Sequence, residues 1–167
     1  SLGVNGVVIG ALTSGGDIDM DICKRLVDEA ENMSITFHRA FDMAEDPDEA
    51  LEDIISLGCD RVLTSGMAPT AVEGITLLRH LRERAEGRIR IMAGAGVNPD
   101  TAISILNAEA ADDLHASARS RIESAVKFRR ENVKMGTPDA NEFSRLTTSA
   151  AIVRELNNII TEYNHLH

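Results

Sequence analysis

The sequence predicts an α/β protein built on a parallel sheet, and three observations lead there. Short, nearly uninterrupted apolar runs alternate with segments of helical periodicity along the 167 residues. The centres of the runs fall roughly 25 residues apart, close to the ~30 residues of a strand–helix–strand unit. Each run ends in a polar or glycine-rich stretch, the rim on which α/β sheets place their ligands. Apolar strands between amphipathic helices belong to a sheet covered by those helices.

The first run, Val7-Val8-Ile9-Gly10-Ala11-Leu12, passes through Gly15-Gly16 into a helix capped near Asp19, with Ile22, Leu26 and Val27 on one face. The second starts with the β-prone Ile35-Thr36-Phe37 and stops at His38-Arg39-Ala40-Phe41-Asp42. Asp46-Pro47-Asp48-Glu49 then opens a helix, combining an aspartate N-cap, proline at the first helical position and acids in the first turn. Its apolar face is Leu51, Ile54 and Ile55. The third run, Arg61-Val62-Leu63-Thr64-Ser65-Gly66, precedes Pro69 and a helix expected to open at Thr70, with Ile75, Leu78 and Leu81 sharing a face. The fourth, Arg88-Ile89-Arg90-Ile91-Met92, precedes Gly94-Ala95-Gly96 and a helix opening at Asn98-Pro99. Asp113-Leu114-His115-Ala116-Ser117 is the fifth. A last helix is expected from Thr147 to Tyr163, its stripe of Ile152, Leu156, Ile159 and Ile160 packing on the sheet.

Two architectures fit about five such units. A (β/α)₈ barrel typically takes ~250 residues, more than this chain has, whereas a doubly wound, flavodoxin-like sheet of five strands suits the length. Composition does not separate them. The glycine turn after Met92 and the following Leu114-His115 strand are similar to the seventh and eighth phosphate-binding loops of a barrel, which would make Val7–Leu12 its fourth strand.

Thr36-Phe37-His38-Arg39-Ala40-Phe41-Asp42 and Leu63-Thr64-Ser65-Gly66 carry a family resemblance when taken together. With Val7–Leu12, Met92-Ala93-Gly94-Ala95-Gly96-Val97-Asn98 and Leu114-His115-Ala116-Ser117-Ala118-Arg119, the series is similar to the CutC copper homeostasis family from residue 4 to about 135. The resemblance implies a cytoplasmic TIM-type barrel linked to copper handling. It implies further that residues 1–167 form a single domain equivalent to the carboxyl-terminal two-thirds of such a barrel, with the first three strands missing. Copper as the ligand rests on this resemblance alone. The family usually has proline and glycine where this chain has Ala93 and Ala95, and its copper-associated cysteines lie on the early strands. Cys23, inside a helix, and Cys59, ahead of a strand, match no metal-ligand spacing and read as structural thiols.

Composition bounds the function classes. The 43% hydrophobic content suffices for a core of aliphatic residues, since aromatics make up only 3%. No apolar run approaches the ~20 residues of a membrane span. A net charge of −10 argues against nucleic acid as a partner, and two cysteines without a pairing pattern fit a reducing compartment. Against this acidic average, Arg119, Arg121, Lys127, Arg129, Arg130 and Lys134 cluster with only Glu123 and Glu131 among them. That segment reads as a solvated face or as an anion funnel, with Arg119 the best phosphate or carboxylate ligand.

The candidate site lies at the carboxyl ends of the strands. His38 alternates with Thr36, and His115 with Ser117, so each imidazole can face a barrel mouth and act as acid/base or metal ligand. The plainer reading of either histidine is a hydrogen-bonded structural residue. Arg39 and Asp42 either pair with each other or serve as anion clamp and orienting acceptor. Thr64, Ser65 and Gly66 can offer hydroxyls and amides to an anion, and Gly94 and Gly96 can let backbone approach a phosphate at the Asn98 helix. Ser65 lacks a G-x-S-x-G elbow, and Glu73 with Thr70 fits a capping box. Three functions follow as expectations: Cu(I) binding or trafficking, an enzyme using His38 and His115 on a small anionic substrate, and a scaffold that pairs with another copy through open sheet edges.

Overall fold

The computed structural model describes residues 3–130, 132–133 and 143–166. Within them the chain divides into two compact units, Ser1–Ala116 and Ser117–His167.

The first unit holds a five-stranded sheet with the order β1-β2-β3-β4-β5. The strands are β1 (Gly6–Ile9), β2 (Ser34–Phe37), β3 (Arg61–Thr64), β4 (Arg90–Ala93) and β5 (Asp113–Leu114), and every pairing is parallel. Between them run α1 (Met20–Ala30), α2 (Pro47–Ser56), α3 (Ile75–Ala85) and α4 (Pro99–Asn107). Sequential order separates the two architectures. Right-handed crossovers between successive neighbours put every helix on the same face, as in a barrel, whereas a doubly wound sheet must reverse its order. The sheet is therefore a barrel-type segment, and it does not close on itself among the described residues.

Alternation along the strands follows from that winding. Ile35, Phe37, Val62, Thr64, Ile91 and Ala93 are buried, as are Leu51, Ile54, Leu78, Leu81, Ala102 and Ile105 of the helices. Each large aliphatic or aromatic side chain in this layer stabilises the fold by roughly 1.5–3 kcal/mol. The opposite face, with Val8, Thr36, Arg61, Leu63, Arg90 and Met92, is half-buried or exposed. Arg61 and Arg90 there share Asp113, whose Oδ2 accepts from Arg61 Nε at 2.7 Å and from Arg90 Nε at 2.8 Å.

Local chemistry sets most boundaries. Asp19, Asp46 and Asn98 cap α1, α2 and α4 through side-chain bonds to backbone amides, and Asn98 forms a reciprocal box with Thr101. Four expectations need correction. The third helix starts at Ile75 behind Gly74, and Thr70–Gly74 is a turn in which Thr70 Oγ1 donates to Glu73 Oε1 at 2.7 Å. The cause is a backbone crossing: a side chain at Gly74 would collide with the Ser65 carbonyl, and one at Gly66 with the Gly74 carbonyl. Ile22 and Leu26 are 45% and 40% exposed, and α1 buries Cys23 and Ala30 instead. Regular pairing of β5 ends at Leu114, although the His115 amide still donates to Ala93 O at 2.8 Å. Thr147 and Thr148 belong to a strand, and the last helix begins at Ala150.

The second unit is an antiparallel pair, β6 (Arg119–Glu123) with β7 (Ser144–Thr148), followed by α5 (Ala150–Leu166). Arg119 and Arg121, expected in a loop or helix, are strand residues opposite Thr148 and Leu146. Leu156 is the buried member of the α5 stripe, with Ile152, Ile159 and Ile160 half-buried. Lys134 and Glu131 of the basic segment lie outside the described residues.

Candidate functional site

The site is built where β2 ends. His38 leaves the strand with its amide still bonded to Ile9 O at 2.8 Å, and it caps a 3₁₀ turn over Arg39–Met43. Its Nδ1 accepts from the Ala40 amide at 3.1 Å, which places the ring proton on Nε2. The ring stacks over Gly10, where a β-carbon would lie 2.6 Å from both Nδ1 and Cε1.

Asp42, in the 3₁₀ turn, ties that turn to the loop after β3. The Asp42 side chain is 7% exposed and accepts from four residues. Arg39 Nε donates to its Oδ2 at 2.6 Å, Thr64 Oγ1 donates to Oδ1, and the amides of Ser65 and Met67 reach Oδ1 at 3.0 and 3.2 Å. Burial opposes ionisation of Asp42, but the bonds from Thr64, Arg39, Ser65 and Met67 outweigh it and hold the carboxyl below its ordinary range. The hydroxyls of Thr64 and Ser65 and the Ser65 amide, expected to face an anion, thus face the chain's own carboxylate. Met67, whose amide joins this set, sits in the left-handed region at φ 56°.

Ser65 completes the tie. Its Oγ lies 2.9 Å from Arg39 Nη2, 3.0 Å from Asp42 Oδ2 and 2.6 Å from Ala68 O. Arg39 is therefore held along its Nε–Nη2 edge, while its side chain stays 43% exposed. Among the described residues nothing bonds its Nη1. A guanidinium presented in this way can take two oxygens of a carboxylate or phosphate.

Among the described residues none of the remaining candidates bonds to Arg39 or Asp42. His115 is exposed beyond β5. With β2 and β5 three strand spacings apart, it lies about 14 Å from His38 along the sheet, whereas two imidazoles on one metal must come within about 4 Å. Gly94 lets Leu63 Cδ1 approach, and Gly96 sits at φ 73° against Thr70. The first turn of α4 is satisfied by Asn98 and Thr101 and carries Asp100, which disfavours an anion there. Gly66 is buried, with its amide on Thr64 Oγ1 at 2.9 Å. Ser117 and the exposed Arg119 belong to the second unit.

The cysteines are free and buried. Burial pushes the Cys59 thiol up to about 11, with Cys23 and Asp60 adding to the effect; burial likewise raises Cys23. Among the described residues no group of three or more His, Cys, Asp or Glu is placed to hold a metal ion, and no helix is long and apolar enough to cross a membrane. Sequence reasoning missed Gly10, the Met67 amide and the 3₁₀ turn. The glycine directly after an apolar strand was the one available signal.

Comparison with known proteins adds the following. The family model described as CutC family matches residues 1–120. A "family protein CutC" of Chromobacterium violaceum is 47% identical over 156 residues, covering 93% of this chain and 63% of the relative. A copper homeostasis protein cutC homolog of Mus musculus is 44% identical over 158 residues, covering 94% of this chain and 58% of the relative. The chain thus spans about three-fifths of the length of the relatives it matches. Among solved structures, one described as a copper homeostasis protein CutC from Streptococcus agalactiae superposes with a TM-score of 0.63 at 29% identity, covering 66% of this chain and 55% of that one.

Proposed function

The chain belongs to the CutC family, and on that premise we propose that it serves copper homeostasis in the cytoplasm through a rim that binds a small anionic ligand, a phosphate or carboxylate. The observation that carries this reading is the Arg39 guanidinium, fixed by Asp42 and Ser65 on one edge and open on the other. His38, the preceding residue in the chain, is the acid/base group of this reading, with Nε2–H as donor and Nδ1 engaged by Ala40. His115, on a separate strand end, is not needed for this ligand.

Direct Cu(I) binding is the second reading, and the names of the relatives favour it. Cu(I) prefers thiolate and thioether ligands. Cys23 and Cys59 are buried thiols whose raised pKa values favour the protonated form, so they fit a copper-thiolate site poorly. Copper on this chain would fall to His38, His115 or Met67.

The experiment pairs two titrations. Inorganic phosphate, followed by amide NMR on the native chain and on Arg39→Ala, should give saturable shifts at Ser65 and Met67 that the variant loses. No saturable shift up to tens of millimolar sinks the anion reading. Anaerobic Cu(I) competition against a chromogenic chelator, on the native chain and on the His38→Ala/His115→Ala double variant, tests the second. Stoichiometric binding lost in that double variant would establish copper at the strand ends.

A further inference from the structure

The geometry points to Ser65 as a positioning residue that makes the Arg39 site selective for oxyanions over spherical anions. This rests on the anion reading above and deepens it. Ser65 is fully buried, and its Oγ lies within hydrogen-bond distance of three groups: Arg39 Nη2 and Asp42 Oδ2 of the 3₁₀ turn, and Ala68 O of its own loop. A hydroxyl has one proton, which serves either Ala68 O or Asp42 Oδ2. In both arrangements a lone pair remains for Arg39 Nη2.

The consequence for Arg39 is geometric. Nε and one hydrogen of Nη2 lie along the same edge of the guanidinium. Asp42, on the 3₁₀ turn, takes the first at 2.6 Å, and Ser65, on the loop after β3, takes the second at 2.9 Å. Two acceptors on one edge fix the plane of the group, where one would leave it free to pivot about the Nε contact. The opposite edge, Nη1 with the second Nη2 hydrogen, then presents two parallel donors in a set direction. Two oxygens of a phosphate or carboxylate match that fork, and a halide does not. Asp42 neutralises the arginine and the chain carries a net charge of −10, so long-range attraction adds little. Selectivity falls to the direction of the donors, which Ser65 sets.

The test measures inorganic phosphate and chloride binding by NMR titration on the native chain, Ser65→Ala, Ser65→Cys and Arg39→Lys, with cooperative unfolding as the control for folding. The cysteine variant keeps the volume and supplies a poor acceptor, so it carries the test if the alanine variant does not fold. Ser65→Ala should weaken phosphate about tenfold, the scale of one charge-assisted hydrogen bond, and leave chloride unchanged. In an Arg39→Lys background the same change should have no further effect, because no fork remains to be aligned. Folded Ser65 variants with native phosphate affinity would overturn the positioning role and leave the anion reading standing. Equal weakening for phosphate and chloride would also overturn it, since that marks a structural role. No phosphate binding by the native chain would overturn both.

Discussion

The α-carbon of Gly10 lies against the imidazole of His38, so closely that a β-carbon on Gly10 would stand 2.6 Å from Nδ1 and Cε1. The contact joins the ends of two paired strands and holds the ring where Nδ1 can cap the 3₁₀ turn. Gly10→Ala must displace the ring and break the bond to the Ala40 amide. Losing that cap should cost about 1 kcal/mol. Urea unfolding measures the loss, and the imidazole NMR signals should show an Nδ1 no longer bonded to backbone. Unchanged His38 signals would mean that the glycine plays no part in placing the ring.

Asp42 holds the site together from a single carboxylate, so its replacement should be among the costlier changes in this chain. Asp42→Ala strands the Thr64 hydroxyl and the amides of Ser65 and Met67 and leaves Arg39 without its partner. Leaving buried donors without acceptors should destabilise the first unit by about 2–4 kcal/mol. Asp42→Asn keeps one acceptor oxygen and should cost roughly half as much. Chemical denaturation of both variants checks the order, and equal losses would argue against the assigned bonds.

How far this arrangement is legible in sequence depends on the range of the contacts. Asp19, Asp46 and Asn98 announce their helices because each caps an amide two or three residues away. The start of α3 is hidden because Gly74 is fixed by the Ser65–Gly66 backbone, a contact without local signature. Periodicity puts Ile22 and Leu26 on one face of α1 but does not say whether that face is covered. His38, Arg39 and Asp42 stand out as polar residues closing an apolar strand. That Asp42 answers Thr64 and Ser65, more than twenty residues on, emerges only once β2 and β3 lie side by side.

Asp113 gives a pH dependence whose sign is fixed by its two arginines. The hydrogen bond from Arg90 lowers its pKa most, burial opposes this, and Arg61 adds to the lowering, bringing the carboxyl from 3.8 to about 2. A depressed pKa means that the folded state favours the ionised form. The stabilisation is therefore complete above pH ~4 and lost as the pH falls through about 2. Its size is about 1–2 kcal/mol after allowance for partial exposure. Asp113→Asn should lose that amount at pH 7, and its stability should fall less steeply than the native protein's between pH 4 and 2. Parallel pH profiles for the two proteins would refute the assignment.

Ala95 has a visible conformational cost. It occupies φ 77° between Gly94 and Gly96, a region in which an L-residue pays for its β-carbon. The left-handed conformation costs about 1–2 kcal/mol for a non-glycine residue. Glycine removes that strain but brings back roughly 0.5–1 kcal/mol of chain entropy in the unfolded state. The balance predicts that Ala95→Gly stabilises the protein by about 0.5–1 kcal/mol. The Ala95 carbonyl accepts from the Ala71 amide at 3.0 Å, so the loop is anchored and does not depend on the methyl group. Thermal unfolding of the variant should show a higher midpoint, whereas a lower one would mean that the methyl group contributes packing that outweighs the strain.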